Sequence, residues 1–338
     1  MNTSRMEHVA CLLCGAIEGT MRVVPCGGEE DVANGQRFML QTCRCGLIYL
    51  NPRPTKNDIA AYYPTEYYPP AELVQRKPVD RLVKRLSRAL KKGIREEFYG
   101  YPGAPRRWWR RLVRRLVLYP EYWHLRLVGR EILPFRGEGR LLDVGCGPGR
   151  LLQELRDQGW DVHGVDFSPV AVERARSVGL NVQHCDLLTA GFEKNYFDVV
   201  LFNHSLEHMF DPAATLREAF RVLKPGGAVM IYLPNAGSAE AALFGQWWVA
   251  WDPPRHLFHF TKQSLARMLE QVGFRAVTVR TSLGKSSFLG SVDRVYRHVL
   301  GSRRRHGSLL RHAAGLLCLV FGYFGYGSDL RAVAEKPF

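Results

Sequence analysis

The segment Gly139-Arg-Leu-Leu-Asp143-Val-Gly145-Cys146-Gly147-Pro-Gly149 constrains the fold of this chain more than any other. The stretch from Gly139 to Val144 reads as a strand. The three alternating glycines after it read as a turn that opens a helix from Arg150 to Gln158. Glycines there permit positive φ and let a ligand approach the backbone at the carboxyl edge of a parallel sheet. The spacing is G-x-G-x-G with an aspartate at the strand end, whereas a nicotinamide dinucleotide turn favours G-x-G-x-x-G. A carboxylate beside the turn suits a cationic amino acid better than a pyrophosphate.

Strands and helices alternate from this point. Asp161 to Asp166, Leu180 to Asp186, Phe197 to Asn203 and Gly227 to Leu233 read as strands, with helices over Ser168 to Ser177 and Pro212 to Leu223 between them. Thr261 caps a further helix running to about Val272, and Phe274 to Arg280 forms another strand. Repeated βα units of this length imply a parallel sheet covered on both faces, an α/β doubly wound class. Consecutive strand ends are polar: Asp143, Asp166, Asp186 and Asn203. Asp166, 17 residues after Gly149, suits both ribose hydroxyls of a nucleoside, and Asp186 suits an exocyclic adenine amine.

Together, Asp143-Val-Gly-Cys-Gly-Pro-Gly149 and Leu223-Lys-Pro-Gly-Gly227 resemble the class I methyltransferases over Gly139 to about Arg280. The resemblance implies a Rossmann-like sheet of seven strands, with S-adenosylmethionine as cofactor. It places the cofactor on Asp143, Gly145, Cys146, Gly147, Gly149, Asp166, Phe167, Asp186, Leu187 and Asn203. An amino-terminal Cys-x-x-Cys segment ending in Asn51-Pro-Arg-Pro54 and a Tyr-Tyr cluster is similar to a bacterial subgroup of zinc-ribbon methyltransferases that includes sugar C-methyltransferases. In those enzymes a Glu-His pair after the fourth strand lies at the active site, and Glu207-His208 matches it by position.

Methyl transfer from a sulfonium is an in-line displacement, so the protein supplies position and, where needed, a base. His208 is the first candidate base, since a near-neutral imidazole takes a proton from a hydroxyl or an acidic carbon. Arg255, His256 and His259, within Trp251-Asp-Pro-Pro-Arg-His-Leu-Phe-His259, are candidates to line the acceptor pocket. Tyr62, Tyr63, Tyr67 and Tyr68 form either a lid over the reacting centre or plain packing, and Trp247 and Trp248 carry the same ambiguity.

Cysteines organise the start of the chain. Cys11-Leu-Leu-Cys14-Gly15 and Cys43-Arg-Cys45-Gly46 are two short turns presenting thiolates, the pattern of a zinc ribbon with a closed, structural Zn2+ site. The second turn is Cys-x-Cys, which leaves Cys26 or His8 as substitute ligands, and a ribbon without metal is the other reading. The opening MNTSRMEHVA has no apolar run or cleavage pattern, and paired cysteines favour metal ligation in a reducing compartment, so a cytoplasmic protein is expected.

Net charge is +15, and it is concentrated: Arg76 to Arg130 holds 17 basic and 4 acidic residues. This block points to an anionic partner, either lipid headgroups or phosphates. Val79, Leu82, Val83, Leu86 and Leu90 fall at helical spacing among cations, and Leu112, Val113, Leu116 and Val117 repeat the pattern after Trp108 and Trp109. Two basic amphipathic helices result, either connecting segments or a membrane-surface patch. Between Arg280 and a last antiparallel strand, Ser328 to Lys336, an insert joins Arg303-Arg-Arg305 to the apolar run Ala313 to Gly327, which is short for a bilayer span.

The expected organisation is a ribbon module over 1–60, a Tyr-rich and basic linker over 61–130, and a methyltransferase domain over 131–338 with a helical insert near 283–327. Small-molecule methyl transfer to a sugar, a lipid-linked glycan precursor or a quinone-like phenol leads the functional readings. An RNA methyltransferase using the basic block and ribbon is the rival. Against it, Asn203-His-Ser-Leu206 is not the Pro-Pro-aromatic motif of amino-group DNA enzymes. A non-catalytic binding module is the third reading, opposed by the intact glycine turn.

Overall fold

The computed structural model describes residues 5–25, 37–63, 81–127, 132–282, 285–300 and 308–338. Cys26, Tyr67, Tyr68, Val79 and Arg303 to Arg305 lie outside them. The chain divides into two compact units, Met1–Tyr67 with Arg140–Phe338, and Tyr68–Gly139.

The amino-terminal segment is built from β1 (Met6–Glu7), β2 (Gly19–Pro25), β3 (Arg37–Cys43), β4 (Ile48–Leu50) and β5 (Arg53–Pro54). β2, β3 and β4 form an antiparallel meander, and β1 pairs β5. In the second unit, α1 (Arg81–Phe98) packs on α2 (Trp108–Leu127) through Ile94, Leu118 and Leu125, with Phe98 stacked on Tyr122 at 4.3 Å. Gly93 permits this approach, since a Cβ there would lie 3.0 Å from Leu118. Buried Glu96 and Glu97 are met by Arg114, with Arg111 and Arg115 beside Glu97.

The main sheet contains β6 (Arg140–Val144), β7 (Asp161–Asp166), β8 (Asn181–His184), β9 (Phe197–Asn203), β10 (Leu223–Pro234), β12 (Arg275–Ser282) and β13 (Asp329–Glu335). Their order is β12-β13-β10-β9-β6-β7-β8, parallel except that β13 runs antiparallel to both neighbours. The central strand β9 is buried from Phe197 to Phe202, as a strand covered on both faces must be. The covering helices start where their caps dictate. In α3 (Arg150–Arg156) the N-cap is Gly149. Ser168 caps α4 (Pro169–Ser177) and Asp211 caps α5 (Pro212–Val222), each with proline at the first position. α6 (Ala239–Phe244) follows β10, and Thr261 with Ser264 forms a capping box on α7 (Lys262–Val272).

Of the boundaries that differ from the sequence expectation, two have an evident cause. β10 begins at Leu223, upstream of the two glycines, because Leu223 pairs with Phe197 before a register shift to Ala228. β8 ends at His184, so Asp186 stands beyond the strand, where its side chain caps the turn Leu187–Thr189.

Between Arg280 and β13, the insert folds as α8 (Lys285–Leu300) and α9 (Ser308–Tyr323). Among the described residues no helix is long and apolar enough to cross a membrane. Trp248 is wholly buried, edge-on to Trp251, with its Nε1–H donated to Ser287 of α8, so it serves packing. The short strand β11 (Phe258–His259) leaves the main sheet and adds to β4 of the amino-terminal meander. One continuous core therefore includes Leu40, Tyr49 and Leu50 with Phe202, Trp248 and Phe258. The amino-terminal segment shares hydrogen bonds with the chain that follows β10 and shares a core with the main sheet.

Candidate active site

The carboxyl edge of the main sheet gathers the predicted residues. β6 delivers Asp143, followed by Gly145, Gly147 and Gly149, all at positive φ. At Gly145 a Cβ would lie 2.6 Å from Cβ of Ser205, so the turn closes only with glycine. Ser205 in turn donates to the Val144 carbonyl at 2.5 Å, binding the loop after β9 to the end of β6.

Asp166, at the end of β7, is buried, and accepts from the Gly147 and Ser168 amides at 2.7 and 2.8 Å. Burial raises its carboxyl, and those amides oppose the rise. Asp143 is also buried, its Oδ1 has no hydrogen-bond partner among the described residues, and burial with the Asp166 charge pushes it up to about 7. An unpartnered, buried carboxylate oxygen beside a glycine turn fits a ligand bearing a cationic amine. Phe167 is half exposed next to Asp166, Asn203 is exposed at the end of β9, and the Cys146 and Leu187 side chains are buried.

Asp186 accepts from Lys56 at 3.0 Å and from the Thr189 amide at 3.1 Å. Burial alone would raise its carboxyl, and these partners outweigh burial and hold it below the ordinary range. Lys56 was not anticipated, because nothing local marks it; its partner lies 130 residues away.

A second cluster sits on the loop after β9. Glu207 is 2 % exposed, and neither carboxylate oxygen has a hydrogen-bond partner among the described residues. His204, at φ +53°, brings its Nδ1 to 3.6 Å from Glu207. Burial would raise the Glu207 carboxyl, but His204, His208 and His256 together hold it down at about 2. His208 Nδ1 lies 3.0 Å from the Arg255 carbonyl and 3.1 Å from the Tyr63 hydroxyl. A carbonyl only accepts, so Nδ1 carries the proton and Nε2 keeps its lone pair. Burial, then the neighbouring His256, lowers His208 to about 4, and the neutral imidazole prevails at neutral pH.

His256 donates Nδ1–H to the Ala250 carbonyl at 2.9 Å, by the same reasoning, and its ring stands edge-on to His208 at 4.7 Å. One ligand atom from each of Glu207, His208 and His256 lies within 4.8 Å of the others, a set able to hold a cation. His259 lies deeper, on β11 against Trp251, buried and pushed well below the ordinary imidazole range by burial. Asp252, which no sequence signal singles out, ion-pairs with Arg255 through Nε at 2.9 Å and so shapes the loop whose carbonyl orients His208.

The amino-terminal segment reaches this cluster twice. Arg53 donates to the Phe210 carbonyl at 2.8 Å, stacks over the Phe210 ring and pairs with Glu7. Tyr63 stands between His208 and Phe167, whose ring centroid is 5.1 Å away. At its other end, Cys11, Cys14, Cys43 and Cys45 present sulfurs all within 4.8 Å of one another. Cys11–Cys45 and Cys14–Cys43 are 3.5 and 3.4 Å apart, near the ~3.8 Å edge of a tetrahedron of thiolates around zinc. His8 is not in the group, so the Cys-x-Cys turn supplies both its sulfurs without a substitute.

The methyltransferase domain family matches residues 75–279, more than half of the chain. The chain belongs to that family. A ubiquinone biosynthesis O-methyltransferase of Cereibacter sphaeroides is 38% identical over 133 residues, covering 36% of this chain and 52% of the relative. A protein named "Probable S-adenosylmethionine-dependent methyltransferase" from Mycolicibacterium smegmatis is 28% identical over 208 residues, covering 61% and 70%. The chain spans about half the length of the first of these curated relatives. A solved S-adenosylmethionine-dependent methyltransferase from Archaeoglobus fulgidus aligns at 19% identity and a TM-score of 0.44, over 66% of this chain and 94% of its own.

Proposed function

We propose that this methyltransferase transfers the methyl group of S-adenosylmethionine to a hydroxyl-bearing small molecule, with His208 as the general base. The observation that carries this reading is the His208 tautomer. Nδ1–H is held by the Arg255 carbonyl, so the Nε2 lone pair is left to take a proton.

Asp143, Asp166 and the Gly145–Gly149 turn would hold the cofactor, Asp143 receiving the amine and Asp166 the ribose hydroxyls. Phe167, Asp186 and the backbone at Cys146, Leu187 and Asn203 would border it. Bound there, S-adenosylmethionine supplies an electrophilic methyl on a sulfonium. The chain's own residues then position the acceptor and remove its proton. Glu207, charged beside His208, stabilises the imidazolium that results, and His256 and His259 wall the acceptor side. Tyr63 helps exclude water and orient His208. Relatives named for O-methylation in ubiquinone biosynthesis support a phenolic acceptor over the sugar and lipid-linked glycan alternatives.

The four cysteines would hold a structural zinc in a ribbon-type module, since a closed thiolate set leaves no open coordination position. Calorimetry tests the cofactor reading: S-adenosylmethionine should bind the wild type, and Asp166→Ala should remove the binding. An unchanged affinity in the variant would sink it.

A further inference from the structure

Helix α2 of the second unit buries one side and leaves the other bare. Counted from Trp108 at about 100° per residue, Leu118, Tyr122, Leu125, Arg111 and Arg114 fall between roughly 240° and 320°. That side meets α1, through the Ile94 core and the Glu96 and Glu97 ion pairs. Trp108, Leu112, Leu116, Trp109, Val113 and Val117 run from 0° to about 180° on the same count. They are the exposed side, with Trp108 at 76%, Leu116 at 68% and Val117 at 70%.

An amphipathic helix normally turns its apolar face inward, and α2 turns a wide apolar face outward. Two features of its surroundings select what covers that face. The segment from Arg76 to Arg130 holds 17 basic and 4 acidic residues. Two of the four acids, Glu96 and Glu97, are buried against cations of the same helix pair, so the charge presented outward is positive. Arg110 borders the arc, its guanidinium over the Trp109 ring at 5.2 Å.

We propose that this face of α2 docks on an anionic phospholipid surface. Its tryptophans and aliphatic side chains would enter the headgroup boundary, and the flanking arginines would meet lipid phosphates. A second copy of the chain fits poorly, because it would bring an equally basic segment against this one. RNA fits less well, because four aliphatic side chains, Leu112, Val113, Leu116 and Val117, share the arc with the two tryptophans and offer neither phosphates nor bases a partner. Lipid satisfies both the apolar arc and its cationic border. This inference does not depend on the acceptor or on the base assigned above.

The test is co-sedimentation of the full chain with two vesicle types, phosphatidylcholine alone and phosphatidylcholine with about 30 % phosphatidylglycerol. The expected result is retention on the anionic vesicles, at least tenfold weaker on the neutral ones and weaker in high salt. The double variant Leu112→Ser/Leu116→Ser should lower retention on anionic vesicles at least tenfold with an unchanged melting temperature, both positions being exposed. Any one of three results overturns the proposal: no retention on anionic vesicles, a double variant retained like the wild type, or dimerisation or RNA retention that the double variant abolishes in a chain indifferent to vesicles.

Discussion

Tyr63 sets its hydroxyl 3.1 Å from Nδ1 of His208, joining a segment near the amino terminus to the loop after the fourth strand of the main sheet. If this contact orients the base, Tyr63→Phe lowers kcat roughly tenfold, the worth of about one net hydrogen bond. Affinity for S-adenosylmethionine stays near wild type. Steady-state kinetics with calorimetry separates the two, and an unchanged kcat removes Tyr63 from the positioning role.

His208 carries a pH prediction for stability as well as rate. Its unfolded imidazole protonates near the ordinary value of 6.5, whereas the folded one stays neutral to about 4. Between those values the unfolded state binds more protons, so the His208 contribution to stability falls as pH drops from 6.5 toward 4. Glu207, held down at about 2 from 4.5, adds a further loss below pH 4.5. Compared with wild type at each pH, His208→Asn should lose less stability as pH falls from 6.5 toward 4, and it should also lose on the order of 100-fold or more in kcat.

Asp143 predicts the opposite slope. Its carboxyl is pushed up to about 7 in the fold against 3.8 when exposed, so the folded state binds more protons in that window. In ligand-free protein the Asp143 contribution to stability is expected to fall as pH rises from 3.8 toward 7, by on the order of 4 kcal/mol, opposing the His208 contribution. Asp143→Asn should remove that loss, melting higher than wild type at pH 8. It should also lose the rise in melting temperature that S-adenosylmethionine gives the wild type.

The cysteine cluster predicts a stoichiometry. One zinc per chain is expected in freshly purified protein, and Cys43→Ser should abolish it and lower the melting temperature. Because Tyr63 and Arg53 follow the cysteine turns in the same segment, the variant should also lose methyl transfer. Elemental analysis that returns no zinc would refute the metal.

Gly145→Ala adds a Cβ at φ +78° that meets Ser205 at 2.6 Å, so a loss of about 1–3 kcal/mol is expected from backbone strain alone. Truncating Ser205 to glycine in the same chain should not restore the wild-type melting temperature, because the φ penalty remains.

Much of the main sheet was legible in the sequence because its signals are local. A strand, a glycine turn and a capped helix are each written within about ten residues, and α7 begins at the Thr261 cap its sequence announces. The strand limits were less legible. β10 starts upstream of its glycines because its pairing with β9 decides the boundary, and β8 stops short of Asp186 because a turn claims that side chain.

The sequence by itself determined the alternation of strands and helices, the glycine turn with its acidic strand ends, and two cysteine turns of ligand spacing. Only the tertiary structure decided which groups meet. Lys56 and Asp186, Arg53 and Phe210, Tyr63 and His208 are each separated by more than a hundred residues, so no periodicity or motif encodes their contact. The proton on His208 Nδ1 was equally invisible, since it follows from a carbonyl of Arg255 brought near by chain reversal after the fifth strand. Local propensity acts over a few bonds, whereas ionisation and tautomer are set by whichever dipoles and charges the fold packs against a group.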